Sequence, residues 1–249
     1  TVSLLSLLAL LVLRISPSKS PLPPSPLLKE PLTILAVGDI NLGRKIGEKI
    51  AAGNIDFPFA NISDFLQEAD VTFGNLESQL RPTTIFQDPT NEYRFSGPLA
   101  GAQALKEAGF DVVSVANNHM WDYGEEGLLS TLNALEKENL ISVGASLQAE
   151  KRLQPTIIQK KSWKIAFFAL TDFINGYEKA GAANFIAYLS DLPLLLEEIR
   201  KIREETDLII VSFHNGVEYT SNPSPRSIDT ARQLIAAGAD VIIGHHPHV

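Results

Sequence analysis

Three of the five histidines in this 249-residue sequence, His245, His246 and His248, fall within its last five positions, in the stretch GHHPHV. Imidazole is a ligand for borderline metal ions and an acid or base near neutrality. The other two histidines keep similar company. His119 follows Asn117 and Asn118 in ANNH, and His214 precedes an Asn-Gly pair in SFHNG. Carboxylates occur in matching settings: Asp39 after Gly38, Glu77 in GNLE, and Asp172 in LTD. Carboxylate, imidazole and amide oxygen together suit Mn, Fe or Zn rather than Ca or Mg alone. The sequence has no cysteine, so any metal must be held by nitrogen and oxygen. A carboxylate such as Glu77 can bridge two ions. Two ions about 3.5–4 Å apart can clamp the attacking and leaving oxygens of a phosphoester displacement. The neighbouring Asn118 and His119 divide the work: an amide oxygen that ligates and an imidazole that acts as acid or transition-state donor.

The elements that must position these residues can be read from the apolar pattern. Six short apolar runs each end in polar residues: LTILAVGD, ADVTFGNLE, FDVVSVANNH, WKIAFFALTD, TDLIIVSFHNG and ADVIIGHHPH. Each reads as a buried strand running into a loop. Between them GPLAGAQALKEAGF, GEEGLLSTLNALEKENL, LSDLPLLLEEIRKIREE and SPRSIDTARQLIAAG carry helical spacing, with Gly or charged residues near their ends. Strands alternating with helices predict an α/β layered fold with buried sheets. In such sheets the functional crevice lies outside the carboxyl ends of the strands. Asp39, Asn75, Glu77, Asn117, Asn118, His119, Asp172, His214 and the terminal histidines all fall there. Residues 80–97 read as a long polar insertion with a short hairpin. Trp121 and Trp163 read as packing residues.

Composition narrows the function. An apolar fraction of 45% supports a sizeable core. The net charge of −8 argues against sequence-independent nucleic-acid binding, which needs a basic surface. It leaves an anionic substrate open, because a metal ion reverses the local sign of a site. The N-terminal run Val2–Leu13 is shorter than the roughly 20 residues of a membrane span. It fits a signal peptide or signal anchor over residues 1–14. Residues 15–31, with six prolines and four serines, read as an extended tether. The folded domain is expected over residues 32–249.

The motifs GDINLGR, GNLES, ANNHMWDYG, FHNGVEY and GHHPH, in this order, resemble the CapA family. That family makes poly-γ-glutamate capsules and belongs to the calcineurin-like metallophosphatase superfamily. The resemblance covers residues 32–249. It implies a four-layer αββα sandwich with two divalent ions (Mn, Fe or Zn type) at one edge. It also implies a protein on the outer face of the cell envelope, membrane-anchored or secreted. Carried over by position, Asp39 and His248 hold the first metal. Glu77 bridges, and Asn118, His214 and His246 hold the second. His119 is the catalytic acid or oxyanion donor, and His245 stands outside the coordination sphere. Family members continue past GHHPH with further strands, so a C-terminally incomplete domain is expected.

Two positions depart from the superfamily pattern. Asn41 stands where a histidine usually follows the first aspartate, and the bridging carboxylate is Glu77 in GNLE rather than the aspartate of a Gly-Asp pair. Asn75 and Asn117 flank the ligand positions. Asp122 shapes the loop after His119. Arg44 pairs with an anionic substrate or with Glu77. Glu218 and Tyr219 line the cleft, contacting substrate or orienting histidines. Two function classes follow: a metal-dependent phosphoester hydrolase, and a non-catalytic accessory that binds polymer in a synthesis and export complex. Expected partners are an anionic substrate or polymer, the membrane and other capsule-synthesis proteins.

Overall fold

The computed structural model describes residues 29–175 and 181–249. The expected signal segment and most of the tether, residues 1–28, lie outside the described residues. No helix among the described residues is long and apolar enough to cross a membrane.

The six predicted strands all form, and they divide between two sheets. The first contains β1 (Ile34–Ile40), β2 (Val71–Leu76), β5 (Val112–Ser114) and β6 (Ile141–Val143), parallel throughout and in that order. The second has the order β10 (Val241–His245), β9 (Leu208–His214), β8 (Trp163–Thr171), β7 (Thr156–Lys160). It is parallel except for the β7–β8 hairpin. The chain is thus a mixed α/β protein built on parallel sheets, as expected.

β8 shows why its run is apolar at nearly every position. Ile165, Phe167 and Ala169 enter one core, and Ala166, Phe168 and Leu170 enter the other. A strand buried on both faces has no solvent side to mark with polar residues. The second core is completed by Leu195 and Ile199 of α5 (Leu192–Ile202) and by Leu234 and Ala237 of α6 (Pro225–Ala237). The first core joins the two sheets: Phe73 of β2 stacks on Phe167 of β8, with ring centroids 5.7 Å apart. It also holds Leu105 of α3 (Gly101–Ala108) and Leu128 and Leu135 of α4 (Gly124–Lys137). Gly144, at φ +92°, fills a close approach between the sheets. A Cβ there would lie 2.6 Å from the Cβ atoms of Ala116 and Ala169.

Helix ends follow the local sequence. Ser224 caps α6 by accepting the Ser227 N–H at 3.0 Å, Pro225 follows it, and Gly238 closes the helix at φ +121°. Two short helices not anticipated from the pattern, α1 (Arg44–Ala51) and α2 (Ser63–Gln67), lie between β1 and β2. The hairpin expected in residues 80–97 is not the main feature of that segment. β3 (Gln79–Arg81) and β4 (Ser96–Pro98) pair in parallel, and a single antiparallel bridge joins Gln87 to Phe95. Parallel pairing needs a long crossover, and the length of the insertion supplies it.

Candidate metal centre

The carboxyl ends of both sheets meet at one place. β1 and β10 are edge strands of their sheets and lie against each other. Register along β1 slips between Ala36, paired with Phe73, and Asp39, paired with Asn75. The extra residue is a bulge, a device that re-aims a side chain at a strand end. It sets Asp39 opposite Asn75, whose Nδ2 donates to Asp39 Oδ1 at 2.7 Å. Asn117 continues the row, donating to Asn75 Oδ1 at 3.2 Å and to the Leu76 carbonyl at 2.8 Å. These buried amides fix the carboxylate rather than face solvent.

Around Asp39 stand four more groups. His214 Nδ1 is 3.8 Å from its Oδ1 and 3.2 Å from Asn75 Nδ2. His245 Nδ1 is 3.5 Å from Oδ1, and His248 Nδ1 is 3.3 Å from Oδ2. The His246 N–H donates to Oδ2 at 2.9 Å. On its other side the His214 ring presents Nε2 to Asn118 Oδ1 at 2.8 Å and to Glu77 Oε1 at 3.6 Å.

Three groups of side chains bring ligating atoms within 4.8 Å of one another: Glu77 with His214 and His246, Asp39 with Glu77 and His248, and Glu218 with His246 and His248. Glu77 is common to the first two groups, the position a bridging carboxylate requires. The donor set is oxygen and imidazole nitrogen, which fits a borderline divalent ion. Glu77 Oε1 and His246 Nδ1 are buried and have no hydrogen-bond partner among the described residues. Unpaired buried polar atoms are costly, and a cation would satisfy both. The residues therefore fit a metal.

Several carboxyls and imidazoles of the site are strongly perturbed. Burial opposes ionisation of Asp39, but His245, His214, Asn75 and the His246 N–H outweigh it and hold the carboxyl well below its usual range. Glu77 goes the other way: burial, then the negative charges of Asp39, Glu218 and Asp122, push it up to about 9. Burial also lowers His214 and His246 and raises Asp172. Positive charge between the two carboxylates would favour the ionised form of both.

His119 sits beside this cluster in a separate clamp. Its Nδ1 lies 2.7 Å from Asp122 Oδ2, which also accepts the Phe95 N–H at 2.8 Å. Asn175 Nδ2 reaches Asp122 Oδ1 at 3.1 Å and His119 Nδ1 at 3.2 Å. The His119 N–H donates to Asn117 Oδ1 at 3.1 Å, and Phe95 stacks on the imidazole with centroids 3.9 Å apart. With Nδ1 turned to Asp122, Nε2 is the ring nitrogen left for a reacting group.

Most of the sequence-selected residues converge here, and a few are used differently. Asn41 Oδ1 accepts the Gly43 N–H at 2.8 Å and shapes its own turn. Arg44 makes no ion pair with Glu77 among the described residues. Its guanidinium bonds the Glu92 carbonyl at 2.8 Å and lies 4.7 Å from the Phe95 ring centroid. Tyr219 is exposed, its ring 6.2 Å from that of His248. His245 is buried near Phe73 and belongs to none of the three ligand groups. Sequence reasoning did not pick out Asn175, Phe95 or Phe173, whose ring meets His246 edge-on at 4.5 Å. Phe173 and Asn175 follow β8 directly, so the strand-end rule that selected Asp172 extends to them. Phe95 lies in the insertion and had no such signal.

A parallel α/β fold that gathers carboxylates, amides and histidines at its strand ends belongs to the class of proteins that work at a strand-end crevice. Residues 33–249 match the family model described as bacterial capsule synthesis protein PGA_cap, and the chain belongs to that family. It is 34% identical to the capsule biosynthesis protein CapA of Bacillus anthracis over 88% of its own length and 55% of the relative's. It is 31% identical to the PGA biosynthesis protein CapA of Bacillus subtilis, over 86% and 56%. A Mycobacterium tuberculosis relative named "Probable polyglutamine synthesis accessory protein" is 25% identical, over 92% and 63%. The chain spans about half the length of the two Bacillus relatives.

Proposed function

We propose that this protein holds two divalent metal ions at the strand-end site and hydrolyses a phosphoester in capsule or poly-γ-glutamate biosynthesis, anchored at the outer face of the cell envelope. The observation that carries the reading is the pair of ligand groups sharing Glu77. Asp39 and His248 flank one position, and His214, His246 and Asn118 the other. Bound ions would supply charge neutralisation and activate water. The protein's own residues do the rest. Asn75 and Asn117 hold Asp39 in place. Asp122 and Asn175 fix the His119 ring so that Nε2 can give a proton to a leaving oxygen. Two sheets joined through one core, with α5 and α6 packed on the second, support the four-layer αββα sandwich of the metallophosphatases. The names of the relatives support the capsule and polyglutamate setting, and with it an anionic polymer and other synthesis proteins as partners.

The test is hydrolysis of chromogenic phosphomonoesters and phosphodiesters by the Mn- or Zn-loaded full chain. Turnover that falls about 10²–10⁴-fold in His119→Asn, with metal retained, supports the reading. Metal-loaded protein inert towards every phosphoester contradicts it. One observation favours a second reading, polymer binding without hydrolysis: Asn41 spends its side-chain oxygen on Gly43 where the superfamily has a histidine. In that case His119→Asn leaves polymer binding unchanged.

A further inference from the structure

We propose that Arg44 is a positioning residue for His119, acting through Phe95. This rests on the reading of His119 as the acid, and it assigns a role to an arginine that lies outside the ligand groups. The Arg44 backbone N–H donates to the Phe86 carbonyl at 2.6 Å, and its guanidinium donates to the Glu92 carbonyl at 2.8 Å. The guanidinium also lies over the Phe95 ring, 4.7 Å from the centroid. One residue thus ties Phe86, Glu92 and Phe95 of the insertion to the start of α1. Gly43 keeps the two segments close: a Cβ there would lie 2.9 Å from the Ser96 carbonyl oxygen and 3.3 Å from that of Phe86.

Phe95 in turn bears on His119 in two ways. Its ring stacks on the imidazole, with 3.9 Å between centroids and 19° between planes. Its N–H donates at 2.8 Å to Asp122 Oδ2, the atom that faces His119 Nδ1 at 2.7 Å. The carboxylate fixes one nitrogen in the ring plane, and the stack fixes the tilt of that plane. Both must hold for Nε2 to stay aimed at a reacting group, because proton transfer needs hydrogen-bond reach. The residues that lead to Phe95, Asn91 to Arg94, are all exposed. They bury too little to hold Phe95 by themselves, so ties from outside the insertion decide where its ring lies. A guanidinium suits that task, since its planar fork bonds a carbonyl while its face rests on an aromatic ring. Arg44 makes no ion pair among the described residues. An arginine with no task beyond solvation would not bond this segment at two points and cover its aromatic ring.

Full chain carrying Arg44→Ala, Phe95→Leu or both tests the assignment. Arg44 is exposed, so its variant should fold. NMR of the metal-free protein reads the His119 ring protons, identified by their loss in His119→Asn. A stacked phenyl ring shields those protons. Both single variants should therefore move them downfield, while the His245 signals stay in place. In phosphoester hydrolysis by the metal-loaded chain, Arg44→Ala should lower kcat by up to about 10²-fold, the effect of a small misplacement at a reacting group. KM should stay nearly unchanged. The double variant should be no slower than Phe95→Leu, because residues acting through one another are not additive. His119 signals and kcat at their wild-type values in Arg44→Ala overturn the proposal. A raised KM with unchanged kcat also overturns it and makes Arg44 a substrate contact. A wild type that hydrolyses no phosphoester overturns the hydrolytic reading instead, and the NMR comparison then decides the role of Arg44 alone.

Discussion

The backbone N–H of His246 donates to Asp39 Oδ2 at 2.9 Å, across 207 positions of the sequence. The bond joins the carboxyl ends of the two edge strands β1 and β10. The site is therefore assembled only when the two sheets dock, and the carboxylate that anchors it is part of the docking. Asp39→Ala removes the acceptor of both this N–H and Asn75. Metal-free protein should lose about 1–3 kcal/mol in urea denaturation, the cost of leaving buried donors unpaired. Unchanged stability would mean that the bond does not hold the sheets together.

Phe73 and Phe167 carry the same docking through the core. Phe73→Ala should cost about 3–5 kcal/mol, as large-to-small aromatic substitutions in packed cores do. A loss below 1 kcal/mol in chemical denaturation would show that the sheets do not share a packed core.

Asp122 Oδ2 lies 2.7 Å from His119 Nδ1, so in the proposed hydrolysis it positions that ring. Asp122→Asn should lower kcat with KM and bound metal nearly unchanged, and it should shift the pH profile of kcat. A rise in KM alone would place Asp122 in substrate binding.

Away from the site, Asp70 gives a pH signature. The Lys161 ammonium at 2.6 Å, then the Thr33 N–H at 2.8 Å, lower its carboxyl below the ordinary 3.8. A depressed folded value contributes stability that is present above the unfolded value near pH 4 and lost as pH falls through the folded one. Between neutral pH and pH 3, Asp70→Asn should therefore lose less stability than wild type. Identical pH dependence in the two would contradict this. The group is exposed, so the difference should be small.

Much of this organisation is written in the sequence. Long apolar runs such as WKIAFFALT report strands buried on both faces, and their polar ends mark the crevice, so Asp39, Glu77, Asn118 and His214 were legible together. β6 and β7 were not. Three residues of ISV carry no period, and TIIQK alternates only between half-buried and exposed positions. The clamp on His119 was legible only in part. Asp122 lies on the same loop, but Phe95 reaches the imidazole because the insertion folds back through the β3–β4 pairing and the Gln87–Phe95 bridge. That is a tertiary event with no local pattern. Arg44 makes no ion pair with Glu77 among the described residues, because the same insertion brings the Phe95 ring and the Glu92 carbonyl to its guanidinium.

The most direct test of the central claim is the metal content of the full chain after reconstitution with Mn²⁺ or Zn²⁺, beside Glu77→Ala. About two tightly held ions per chain are expected in the wild type. Both tight positions should be lost in the variant, because Glu77 is common to the two candidate ligand groups. A wild-type chain that retains no metal, or a variant that retains as much as wild type, would contradict it.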